Sequence, residues 1–138
     1  MWWTYALLSA FFAALTAIFA KIGVRNVDSD LATALRTIVI TVLAWAIVLA
    51  RGKLPGASGL SRQNLLFLLL SGLATGLSWI FYFRALQLGK VSQVAPVDKL
   101  SVALAIILSV LFLGEPLTLK TSLGALLIIS GTLVLIAT

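Results

Sequence analysis

Five stretches of this chain contain no charged residue at all: 2–20, 37–50, 63–83, 100–114 and 121–138. Together they cover 87 of 138 residues. Most are close to the ~20 apolar residues needed to cross a hydrocarbon layer about 30 Å thick. Only 14 residues are charged and 62% are hydrophobic, so a water-facing surface cannot be assembled from what remains. The chain therefore reads as an integral membrane protein. Backbone polar groups in lipid must be paired internally, and the ten-residue alternation of a membrane barrel is missing. The expected fold class is an all-α membrane protein, a bundle of five transmembrane helices forming one domain over 1–138.

The expected spans are 2–22, 31–50, 63–87, 92–113 and 118–137. Trp2, Trp3 and Tyr5 form an interfacial aromatic anchor at the first. A polar turn with Asn26, Asp28, Ser29 and Asp30 precedes the second. The Arg51–Arg62 connection holds three glycines, a proline and three basic residues, as suits a loop at headgroup level. Gly114-Glu115-Pro116 ends span 4, with Gly114 as a left-handed cap, and Thr118 is the expected N-cap of span 5.

Several classes of chemistry are excluded. The chain has no histidine and no cysteine, which removes zinc sites, thiol nucleophiles and imidazole bases; no cofactor is expected. The net charge of +6 does not indicate nucleic acid, because the basic residues stand singly at the ends of apolar runs. No Lys or Arg precedes the first apolar run, so a cleaved leader is not expected.

An odd number of spans puts the two termini on opposite sides. The N-terminal side carries Arg51, Lys53, Arg62 and Lys120; the other carries Lys21, Arg25, Arg84 and Lys90. Four against four gives no clear orientation under the positive-inside rule. Either the triple-basic loop fixes one orientation, or the chain inserts both ways and pairs as an antiparallel homodimer, imitating an inverted repeat.

Polar residues inside the spans align on helical faces. Ser71, Thr75, Ser78 and Tyr82 form one stripe, with Gly72, Gly76, Trp79 and Phe83 beside it. Asp98, Ser101, Ala105 and Ser109 form another, and Thr33, Thr37 and Thr41 a third. Small residues at such spacing suit close helix packing, whereas Trp79 and Tyr82 suit a cavity wall. Arg36, Asp98 and Lys99 lie at a similar depth from one side, and buried charge in a membrane is costly. Asp98 is expected to pair with Arg36 or Lys99, either as a binding site or as an ion pair between helices. Arg84 is expected to snorkel to the interface. Pro96, just before Asp98, removes a helical donor and marks a local hinge. The candidate substrate-binding or cavity set is Asp98, Lys99, Arg36, Tyr82, Trp79, Ser78, Thr75 and Ser109.

The segments FYFRALQLG (Phe81–Gly89), Val94-Ala95-Pro96-Val97 and LFLGEPL (Leu111–Leu117), continued by Gly124 and Gly131, resemble the EamA domain of the drug/metabolite transporter superfamily. Most such proteins carry two five-helix halves of opposite topology, and this chain resembles one half. The resemblance implies transport of small metabolites without ATP-binding machinery, by a ten-helix dimer of two chains. It places the substrate path between spans 1, 3 and 4 of the two halves. The four-helix multidrug exporters of the superfamily couple protons through an acid in the first helix. Span 1 here has none, which leaves Asp98 as the candidate for that task.

The expected function is secondary-active transport or export in the inner membrane of a prokaryote, by alternating access. The expected partners are a small-molecule substrate, the lipid bilayer and a second copy of the chain, with no nucleic acid. An accessory membrane subunit and a flippase-like component for a lipid-linked group are the alternatives; an enzyme is not expected.

Overall fold

The structure, a computed structural model, describes residues 1–137 and is helical almost throughout. The helices are α1 (Trp2–Gly23), α2 (Ser29–Ala50), α3 (Arg62–Leu88), α4 (Val91–Asp98), α5 (Leu100–Leu108) and α6 (Leu119–Ile136). A wide π turn at Ser109–Leu113 extends α5, and a short 3-10 segment occupies Leu54–Gly59. Among the described residues, five stretches are long and apolar enough to span a membrane; the fourth, Val91–Leu113, comprises α4, α5 and the π turn.

Several helix ends have an identifiable chemical cause. Asp28 caps α2, its carboxylate accepting from the amides of Asp30 (2.9 Å) and Leu31 (3.1 Å). That cap starts the helix at Ser29, two residues earlier than expected from apolar periodicity alone. Ser61 does the same for α3, accepting from the Asn64 amide at 3.1 Å. Gly52 and Gly114 hold positive φ (60° and 68°), where a side chain would be strained. At Gly114 the chain leaves the π turn, with the Gly114 and Glu115 amides both directed at the Ser109 carbonyl. Thr118 then opens α6 through a reciprocal capping box: its hydroxyl accepts from the Thr121 amide, and its own amide donates to Thr121 Oγ1.

The chain divides into two compact units: Met1–Ile18 with Leu88–Thr138, and Phe19–Gln87. In the first, α6 packs on both α4 and α5, and the buried residues are the small Ala17, Ala103 and Thr132. In the second, Val24, Ser29, Thr33, Phe83 and Leu86 are buried together near the α1–α2 turn and the end of α3. From Arg62 through Ser78, α3 has no buried residue on any face.

That exposure changes the reading of Gly72-x-x-x-Gly76. Among the described residues, nothing lies within 4 Å of a Cβ built at either glycine, so neither marks a close approach inside this chain. Span 4 also differs from a continuous helix. It breaks at Lys99, whose amide reaches both Ala95 (3.3 Å) and Pro96 (3.0 Å) carbonyls, while the Val102 amide bonds back only three residues to Lys99. The turn tightens there into three-residue bonds one turn after Pro96, whose missing amide and ring disturb the turn before it.

The α6 cap is a local device whose loss has a known scale. Thr118→Ala should destabilise the folded protein by about 1 kcal/mol. A thermal or SDS unfolding midpoint unchanged from the parent would contradict that assignment.

Candidate functional site

The hydroxyl stripes are quieter than their composition suggests. Thr33, Thr37 and Thr41 each donate to the carbonyl four residues earlier, all at 2.8 Å, and Thr16 and Thr75 do the same in α1 and α3. Each hydroxyl has one proton, and these are spent inside their own helices. Thr75 is therefore not a donor waiting for a ligand, and both it and Ser78 are exposed on α3. Ser109, the first residue of the π turn, donates to the Ile106 carbonyl at 3.0 Å.

The charged candidates behave differently from one another. Asp98 pairs with Lys99, Nζ to Oδ2 at 3.1 Å. The pair joins sequence neighbours at the α4–α5 break rather than two separate helices, and Lys99 is largely exposed. The carbonyl of Pro96, one turn before the break, lies 3.2 Å from the hydroxyl of buried Thr132 in α6, which also contacts its own Ile128 carbonyl at 2.8 Å. One proton serves both acceptors, so α6 supports the irregular backbone of span 4 where proline has disturbed it.

Arg36 lies in α2, roughly 10 Å along the axis from the helix start. Its guanidinium carbon sits 3.4 Å from the centre of the Trp79 ring and 5.6 Å from that of Phe83. Trp79 is held edge-on by Tyr82 at 5.4 Å and by Phe83 at 5.5 Å, so three aromatic rings of α3 form a fixed platform. A partly buried guanidinium on an indole face gains about 1 kcal/mol. Among the described residues, Arg36 has no hydrogen bond and no carboxylate partner. The platform joins three residues singled out from the sequence, Arg36, Trp79 and Tyr82.

Two further residues hold this end of α3 in place. Gln87 donates through Nε2 to the carbonyls of Val24 (3.2 Å) and Val27 (2.7 Å), which the end of α1 leaves without helical partners. Lys21, in the last turn of α1, donates to the carbonyl of Leu86. Arg84 is exposed and contacts Gln87 Oε1 at 3.4 Å. Neither Gln87 nor Lys21 stood out by periodicity; the available sign was an amide close to the end of an otherwise apolar span.

The profile of the EamA-like transporter family matches residues 1–137. The chain belongs to the EamA-like transporter family. A protein of Sinorhizobium sp. named an uncharacterized transporter in the cobO 3′ region is 54% identical over 134 residues, which are 97% of this chain and 95% of that one. An uncharacterized protein of Methanocaldococcus jannaschii is 34% identical over 74 residues, 54% of each chain. No solved structure matches the chain significantly. As an EamA-like protein with five apolar spans, it is an integral, multi-pass membrane protein.

Gln87 provides a direct test of how the platform is anchored. Gln87→Leu keeps the volume but leaves the Val24 and Val27 carbonyls without a donor, which should cost about 1–3 kcal/mol. The measurement is the unfolding midpoint in detergent, and stability equal to the parent would show that the amide is dispensable.

Proposed function

We propose that this EamA-like protein is a secondary-active transporter or exporter of small metabolites, working by alternating access as a homodimer, with an antiparallel arrangement of the two copies. Family membership over residues 1–137 carries the transport reading. The interrupted fourth span supports the mode of action. A break at Lys99, backed by Thr132, gives a short hinge at which α4 and α5 can change angle without exposing unpaired backbone. The Asp98–Lys99 pair sits at that hinge, where a substrate or a coupling ion can compete for either partner. The bare length of α3 supports the dimer, because a helix with a polar stripe and Gly72 and Gly76 one turn apart suits a neighbour that the described residues do not supply. The near balance of basic residues between the two sides supports insertion in both orientations.

Two experiments bear on this. The purified chain alone, in proteoliposomes, should move at least one solute from a metabolite screen, and Asp98→Asn should slow that flux by about tenfold, or ~1.4 kcal/mol. No flux in the absence of another protein would favour an accessory role, and normal flux in Asp98→Asn would remove the carboxylate from the mechanism. For topology, the chain has no native cysteine, so Ser58→Cys in the connecting loop reports orientation cleanly. In intact cells and inverted vesicles it should be labelled by a membrane-impermeant maleimide from both sides; labelling from one side only would exclude the antiparallel dimer.

A further inference from the structure

We propose that Arg36 is the receptor for the anionic group of a small apolar ligand, whose body occupies the cavity beside it. The proposal rests on the transport reading above and names the substrate class for it. The cavity measures about 280 Å³ and is lined by Phe19, Val24, Val27, Leu35 and Phe83, with Arg36 as its one charged wall. That is near the lower end of small-molecule pockets, which suits a single-ring or short-chain acid.

The local chemistry favours an anion. Arg36 presents five N–H donors, and none has an acceptor among the described residues. Arg36 Cζ lies 3.4 Å from the centre of the Trp79 ring, and a guanidinium stacked on a ring keeps its in-plane edge for an oxyanion, which can accept two parallel hydrogen bonds. The acids in the same unit are already engaged: Asp28 caps α2, and Asp30 receives the Ser29 hydroxyl at 3.4 Å. Lys21, Arg25 and Arg84 lie at the same ends of α1 and α3, so the region attracts anions. A cation within a span is costly to retain, and an aromatic platform holds it without neutralising its charge. A carboxylate from solution and the phosphodiester of an anionic lipid share the chemistry Arg36 would recognise.

Trp79 is itself the reporter. With Trp2, Trp3 and Trp45 changed to Phe, it is the sole tryptophan of the full chain. In phosphatidylcholine vesicles, hexanoate should change Trp79 emission saturably, whereas 1-hexanol should not. Arg36→Gln should raise the half-saturating hexanoate concentration at least tenfold, a loss of about 1.4 kcal/mol. Arg36→Lys, which keeps the charge without the planar fork, should fall between and covers the case in which Arg36→Gln does not fold. Equal responses to hexanoate and hexanol, or an unchanged half-saturation in either variant, would overturn the proposal. Adding phosphatidylglycerol identifies the source. If it alters Trp79 emission by itself and competes with hexanoate through Arg36, the anion is a lipid headgroup; if it does neither, the ligand comes from solution. Fluorescence needs no flux, so saturable binding without transport would reject the transport reading and leave the site intact. Transport of a carboxylate unaffected by Arg36→Gln would do the reverse.

Discussion

In an apolar solvent the backbone cannot borrow hydrogen bonds from water, and this constraint governs every irregular point in the protein. Where the helices are continuous, they close their own bonds. Where they are not, local caps intervene at Asp28, Ser61, Gly114 and Thr118, and elsewhere a side chain from another helix does. Thr132 reaches the Pro96 carbonyl beside the break in span 4, and Gln87 reaches two carbonyls of the α1–α2 turn. Lys21 reaches the Leu86 carbonyl. These tertiary hydrogen bonds give defined turns to a chain with little buried apolar surface among its described residues.

The same economy separates the polar residues into two kinds. Threonines in the spans donate back along their own helices, which leaves their oxygens as acceptors. Charges cannot be treated so cheaply. Asp98 and Lys99 pair at the α4–α5 break, while Arg36 rests on aromatic rings that leave its charge intact. Charge in the spans is therefore held in two small groups, apart from the hydroxyl stripes. The first lies in the unit containing α4–α6, the second in the unit containing α2 and α3.

What the sequence disclosed and what it hid divide by range. The five spans follow from charge-free length, and the Gly114 and Thr118 caps from local turn chemistry, so each is legible within a few residues. Pro96 announced irregularity, but the break itself falls at Lys99, on the C-terminal side of the ring, whereas proline's own steric effect falls on the turn before it. The platform beneath Arg36 was legible only as a list of separate residues. Its geometry depends on the register between α2 and α3, which periodicity within one helix does not encode. Equal depth suggested Arg36 and Lys99 alike for Asp98, and adjacency decided in favour of Lys99. The glycine pair in α3 carried a packing signal without an address, since a small-residue face says that something approaches and not what.

The hydrogen bonds around Gln87 have a mechanical consequence. The end of α3 and the turn joining α1 to α2 are tied by two donations from one amide and a third from Lys21, each worth about 0.5–1.5 kcal/mol. At that junction several side-chain bonds act together, whereas at Lys99 a single amide is shared between the Ala95 and Pro96 carbonyls. Hydrogen bonding is thus distributed unevenly along the chain. The aromatic platform belongs to the multiply tied element, and the shared bond to the proline-containing span.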